Sequence, residues 1–474
     1  MTRLRVRRRL AAWMAVLAIV AHSAAALAAD GAVALVGATV IDGTGRAPVP
    51  NGVVVVDDGR FVAVGRAGEV AIPAGAKIID ASGDYVIPGL MDANVHLLLD
   101  IEIEPLIKYE GRYGDLIIEA AQVALRNGVT TVFDTWGPRD ALLRAQTRIG
   151  DGEAVGSRFF FAGNIIGFDG PFSGDFFRSS MLSEQFAKRI NDEWEQGVGQ
   201  DLLWRTPDEV RKRVRDYIHN GHVDFIKYAS SGHTHEQYLA FSPETQRAIV
   251  QEGHKAGLVV DVHSTSVESL RLAVNAGADV MQHCDYTGIE PIPATTLRKI
   301  VDEHVACAAF FVTDAYYQWT QSHDIRENFS EIEKVHRQND EALIKAGAVI
   351  ALATDAGILR PQAASNPALA SMLKGVPDTP TSLSDSEFLW FKAASELGMK
   401  PMDALVAATR NVARAYKRSK DLGTIERGKR ADLVVLTANP LRSPDNYRAI
   451  RMVMKDGLLV DRDHLPIRHF LTRP

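Results

Sequence analysis

The sequence predicts an α/β fold, a (β/α)8 TIM barrel with a small β-sandwich formed from both chain termini. Three observations carry this expectation. Eight short apolar runs alternate with helix-compatible stretches between residues 87 and 411. Runs rich in β-branched residues and separated by turn signals occupy both ends, at 29–86 and 412–474. Polar residues suited to holding metal stand at the C-terminal tips of several of the eight runs, where a barrel gathers them on one face.

Before these elements lies a segment that is read apart from the fold. Arg3, Arg5, Arg7, Arg8 and Arg9 precede the apolar run "LAAWMAVLAIVA", and Ala26-Leu27-Ala28 closes it. This is the pattern of a cleavable signal peptide over residues 1–28. Its apolar core of about a dozen residues is short of the roughly 20 that span a bilayer. A periplasmic or secreted protein is therefore expected, by Sec export with the twin-arginine route left open, and no membrane contact after cleavage. Cleavage removes five arginines and no acid, so the formal net charge of −6 becomes −11. So acidic a chain does not suit nucleic acid, whose phosphates need a basic surface. Cys284 and Cys307 form no CxxC pair and are expected as buried free thiols.

Taken in chain order, "VALVGATVID", "GVVVVDDGRFVAVG" and "AKIIDASGDYV" read as strands, with Asp58-Gly59 as a hairpin turn. The same texture returns in "LGTIERGKRADLVVLTANP" and "IRMVMKDGLLVD", where Asp456-Gly457 makes another. Neither end closes a sheet alone. The barrel strands are expected at Leu90–His96, Val129–Asp134, Arg158–Ala162, Val223–Tyr228, Leu258–His263, Val280–His283, Val305–Val312 and Val349–Asp355. "TPDEV" at 206–210 supplies an N-cap, a first-turn Pro and a capping-box Glu209. The insertion from Asn164 to Trp204, rich in Phe, Gly and Trp, is a candidate lid or pocket wall.

The strand tips hold Asn94, His96, Lys227, His263, His283 and Asp355. Neutral imidazoles suit zinc and its neighbours, and a carboxylate beside them can bind metal or move a proton. Tyr228, next to Lys227, could polarise a substrate carbonyl if the strand bends there, or be a plain core tyrosine. His233-Thr234-His235 is the chain's one His-x-His, but it lies in the loop beyond the lysine strand. Substrate contact is expected of His233 and His235 rather than ligation. His219, His222, His254, His304, His323 and His336 lie on expected helices or their ends and are given no site role.

Taken together, "VIPGLMDANVH", "DFIKYASSG", "VDVHS", "MQHCD", "ALATDAG" and "LGTIERGKRADLVVL" resemble the amidohydrolase superfamily over nearly the whole mature length. The resemblance implies hydrolysis of an amide-type C–N bond by a metal-activated hydroxide. It also implies two divalent metal ions, of the zinc type, held by Asn94, His96, Lys227, His263, His283 and Asp355. Lys227 would carry a carbon dioxide-derived carboxylate that bridges the ions, and Asp355 would act as general base and then general acid. Asn94-Val95-His96, where His-x-His is usual, resembles the subgroup of phenylurea and thiocarbamate hydrolases; with neutral amide oxygen in place of imidazole, a looser first ion is expected. "DFIKYASSG" is also similar to the Xaa-Pro dipeptidases. A homo-oligomer is a further implication.

A small-molecule substrate with apolar or aromatic character is favoured by "FFFAG", "GPFSGDFF", Trp194, Trp204 and "FFVTDAYYQW". A dipeptide or N-acyl amino acid would need a basic residue for its carboxylate, for which Arg139 and Arg178 are the candidates. A metal-binding scaffold without catalysis is the alternative of another class.

Overall fold

The computed structural model describes residues 31–99, 104–173, 182–232, 238–323, 328–357, 375–378, 382–383 and 385–472. The leader 1–28, His233, His235 and Arg178 lie outside the described residues. Five strands come first: β1 (Val33–Val40), β2 (Val49–Asp57), β3 (Arg60–Arg66), β4 (Lys77–Asp80) and β5 (Tyr85–Pro88). The barrel strands follow as β6 (Leu90–Val95), β7 (Val129–Asp134), β8 (Arg158–Phe161), a two-residue β9 (Ile165–Ile166) and β10 (Ile226–Ala229). They continue as β11 (Val260–His263), β12 (Val280–Gln282), β13 (Ala306–Ala309) and β14 (Val349–Leu352). The chain ends on β15 (Leu433–Leu436), β16 (Ile450–Lys455) and β17 (Leu458–Leu459).

The two ends of the chain do share one sheet, in the order β17-β16-β15-β5-β1-β2-β3 with β4 also on β1. The seam is the antiparallel pairing of β15 with β5, from Leu433 opposite Pro88 to Leu436 opposite Tyr85. β1 changes partner along its length: Val33–Val36 pair with β4, and Thr39–Val40 with β5. Its register against β2 slips between Val36 and Ala38, where Gly37 takes φ 89°, and again between Ala38 and Val40. Both hairpins turn where expected, with Asp58 and Gly59 at φ 45° and 69° and Asp456 and Gly457 at φ 50° and 78°. Apolar residues alternate inward, and Leu35, Val54, Val56, Phe61, Leu433, Val435 and Met454 form one buried cluster.

All eight expected barrel strands form, in two parallel sheets, β6-β7-β8 and β9-β10-β11-β12-β13-β14. Their edges meet through a parallel bridge between Val95 and Ala356 on one side, and through the Asp224 amide donating to the Phe161 carbonyl at 3.0 Å on the other. The barrel floor is filled by Met91, Ala93, Phe133, Phe225, Val259, Val280, Ala306 and Ala351. Val412, Ala413, Tyr416 and Leu422 join the same cluster, and Tyr416 stacks on Phe133 with centroids 3.7 Å apart. Barrel packing thus runs past residue 411. The Thr206 capping box forms on the helix Pro207–Gly221. Arg158 ties barrel to sheet, pairing with Asp432 at 2.5 Å and with Asp456. No helix among the described residues is long and apolar enough to cross a membrane.

Candidate active site

The site begins with a clamp between the first and last barrel strands. Asp92, buried in β6, accepts from the Thr354 hydroxyl at 2.6 Å and from the Asn94 amide N–H at 2.9 Å. Burial pushes its carboxyl up to about 7. Beyond Thr354 the backbone of Asp355 takes φ 54°, a left-handed conformation, and its amide donates to the Asn94 carbonyl at 2.9 Å. Two strand ends 261 residues apart are thereby fixed side by side.

Asp355 is where the predicted residues converge. Its Oδ1 accepts from Asn94 Nδ2 at 2.9 Å, lies 2.9 Å from His96 Nε2 and 3.8 Å from His283 Nε2. The side chain is still 33% exposed, so the carboxylate opens on the mouth of the barrel. His283, another left-handed residue at φ 53°, crosses His263 edge to face with centroids 5.4 Å apart. Lys227 is buried, and its Nζ donates to Thr135 Oγ1 at 3.1 Å. Thr135 in turn donates to Asn94 Oδ1 at 2.5 Å. Both ends of the Asn94 amide are therefore engaged, the oxygen by Thr135 and the nitrogen by Asp355.

The charges follow from this packing. Burial works against ionised Asp355, but His283, His96 and Lys227 outweigh it and hold the carboxyl well below its ordinary range. Burial pulls Lys227 below its ordinary value against the opposing pull of Asp261, Asp355 and Asp134. Burial also brings His283 down to about 4, with Lys227 adding to the shift and Asp355 opposing it. Asp134 and Asp261, beside Lys227, are each pushed up to about 6 by burial. A neutral imidazole and an ionised carboxylate at one point are the donor set a divalent metal takes. His96 Nδ1 is buried without a hydrogen-bond partner among the described residues. These residues fit a metal.

Other expected residues go elsewhere. Tyr228 is corrected: strand alternation sends Lys227 inward and Tyr228 outward, where its hydroxyl donates to Gln246 Oε1 at 3.0 Å on the helix Pro243–Lys255. Arg139 lies over the Tyr217 ring, 5.2 Å from its centroid, in the helical layer. Trp194 is buried against Tyr113 and Trp204 is 88% exposed, so neither walls the mouth. Phe311 stacks on Trp390. Among the described residues, the rings that abut the site are Trp136, edge-on to His96 at 6.4 Å, and Phe168, edge-on to His263 at 5.4 Å. Trp136 and Thr135 follow β7 in "FDTW", a strand tip whose residue types carry no ligand signal in the sequence.

Comparison with known proteins agrees with this fold. The amidohydrolase family model matches residues 85–460. The structure of molinate hydrolase is similar at 38% identity and a TM-score of 0.88, covering 94% of this chain and 97% of that one. Phenylurea hydrolase B is similar at 36% identity and a TM-score of 0.88, covering 94% and 100%. Ochratoxinase of Aspergillus niger is 25% identical over 444 residues, 89% of this chain and 85% of that protein. A family match across barrel and sheet, joined to a histidine–aspartate centre at the strand tips, leads to one conclusion: the chain belongs to the amidohydrolase family, hydrolases of carbon–nitrogen bonds.

Proposed function

We propose that this protein hydrolyses the amide-type bond of a small apolar or aromatic amide, urea or carbamate, with divalent metal of the zinc type. The observation that carries the reading is the convergence of Asn94, His96 and His283 on one oxygen of Asp355. His96, His263, His283, Asp355 and Lys227 would hold two ions, and Asn94 fits the part of a residue that orients Asp355. When bound, the metal supplies a water of lowered pKa and a Lewis acid for the carbonyl. Asp355 stays ionised at neutral pH, takes the proton of the attacking water and returns it to the leaving nitrogen. Burial favours the neutral Lys227 amine, the form that reacts with carbon dioxide to give a carboxylate. Trp136 and Phe168 set buried apolar rings edge-on against His96 and His263, and Arg139 lies over Tyr217 in the helical layer, which favours an apolar substrate. The similarity to phenylurea hydrolase B points the same way.

A panel of anilides, N-aryl ureas, N-acyl amino acids and Xaa-Pro dipeptides, run with elemental analysis of the purified protein, tests this. Turnover of the anilides or ureas with bound metal is expected. Activity confined to free-carboxylate dipeptides would overturn the substrate class. The Arg-rich leader supports export, and N-terminal sequencing of the mature chain should begin just beyond Ala28. A mature protein that keeps Arg3 to Arg9 in the cytoplasmic fraction would overturn the periplasmic or secreted reading.

A further inference from the structure

Two residues beyond His283, Asp285 turns into the helical layer. Its Oδ2 accepts from the Phe310 amide at 2.8 Å and meets His336 Nε2 at 3.0 Å. His336 lies on the helix Phe329–Ala346, with Glu333 and Asp340 three residues before and four after it on the same face. Nε2 is 3.7 Å from Asp340 Oδ2, and Nδ1 is 3.4 Å from Glu333 Oε2. The four side chains are between 0% and 5% exposed. Asp285 Oδ1 and Asp340 Oδ1 are buried without a hydrogen-bond donor among the described residues. The neighbouring Arg337 gives them no charge, being paired with Asp314 and Glu341.

We infer that Asp285, His336 and Asp340 form a site for a structural divalent cation, separate from the barrel mouth. One donor atom from each already lies within 4.8 Å of the others. Three carboxyl groups against one imidazole, all out of water, need added positive charge. Nε2 points at the two aspartates while a carboxylate stands behind Nδ1, which is how an outer carboxylate orients a metal-bound imidazole. Protons are the competing source of charge: burial and the facing Asp285 hold the Asp340 carboxyl well above its ordinary range, and against burial Asp340 and Asp285 hold His336 well above its own. One nitrogen and two carboxylate oxygens suit zinc or manganese better than calcium. A cation here would clamp the segment after His283 to Phe310 and to the helix. The inference does not rest on how the mouth is filled.

Anomalous diffraction at the zinc edge, on crystals of the full mature protein soaked in zinc chloride, separates the two places by position. A peak within about 2.0–2.3 Å of His336 Nε2 and of oxygens from Asp285 and Asp340 is expected. A map with peaks at the mouth alone, or none, overturns the inference and leaves protons as the neutralising charge. In solution, a His263→Ala/His283→Ala variant should keep about one zinc per chain after dialysis and lose it on adding Asp340→Asn. Should Asp340→Asn fail to fold, the anomalous map of the wild-type protein decides.

Discussion

His283 and His336 are both largely buried imidazoles beside aspartates, yet their charges go opposite ways. Burial disfavours the cation at each. At the mouth, Lys227 and His96 add to that effect and Asp355 opposes it, so His283 falls to about 4. In the helical layer, Asp340, Asp285 and Glu333 face His336 and overcome burial, so it stays charged. The same two residue types thus make a centre open to the barrel mouth in one place and a closed cluster within the helical layer in the other. What differs is the cationic neighbour and the opening: Asp355 keeps a third of its side chain exposed, whereas Asp285 keeps none.

The comparison is broken or kept most sharply by the two aspartates. Asp355→Asn should lower kcat/KM by about 10²–10⁴-fold, the usual worth of a positioned acid–base, with the melting temperature little changed. Asp285→Asn strips the carboxylate from a buried His336 and should cost on the order of 3–5 kcal/mol of stability while the folded fraction keeps activity within about tenfold. Steady-state kinetics and thermal melts of both variants check this. Equal losses of activity at equal melting temperature would erase the distinction between the regions.

Titration sharpens it next. In metal-free protein labelled with ¹³C at histidine, His283 should remain neutral down to about 4 and His336 should remain charged above 6.5. For His283 the folded value lies below the ordinary 6.5, so between 6.5 and about 4 the unfolded chain takes up a proton that the folded chain refuses. Stability from this group is full above 6.5 and is lost as pH falls through that window, by up to about 1.4 kcal/mol per pH unit. Metal-free His283→Gln should show a shallower acid slope than the wild type. Identical slopes would mean that the charges around His283 do not act as described.

Thr135 should give a smaller effect. Its hydroxyl accepts from Lys227 and donates to Asn94, so Thr135→Val leaves two buried polar groups short of a partner. A loss of about 1–3 kcal/mol follows, with Thr135→Ser close to wild type. Activity should fall with Val and recover with Ser, since Asn94 orients Asp355. A Val variant as stable and active as the wild type would remove Thr135 from the network.

Much of this was legible because buried parallel strands announce themselves as apolar runs, and the residue ending each run is what the barrel exposes. That rule singles out Asn94, His96, Lys227, His263, His283 and Asp355, and the fold brings Asn94, His96 and His283 onto Asp355. Thr135 and Trp136 obey it too, but Thr and Trp carry no ligand signal in isolation. The His336 cluster was hidden for another reason. Glu333, His336 and Asp340 share a helical face that a sequence shows equally to solvent or to core, and the deciding partner, Asp285, is 51 residues away. The first register slip of β1 falls at Gly37, one glycine among 37.

Tyr228 offers the smallest effect and the strictest check on the inward and outward sides of β10. Its hydroxyl and that of Ser230 both reach Gln246 Oε1, at 3.0 and 3.1 Å. Tyr228→Phe therefore removes one buried hydrogen bond while its acceptor keeps another donor. The cost should sit near about 1 kcal/mol, and kcat should stay within about twofold of the wild type. A hundredfold fall in kcat at unchanged stability would mean that the hydroxyl reaches the substrate. Lys227, one residue earlier, should behave in the opposite way, because the pleat that turns Tyr228 towards the helix is the one that turns the lysine towards Asp355.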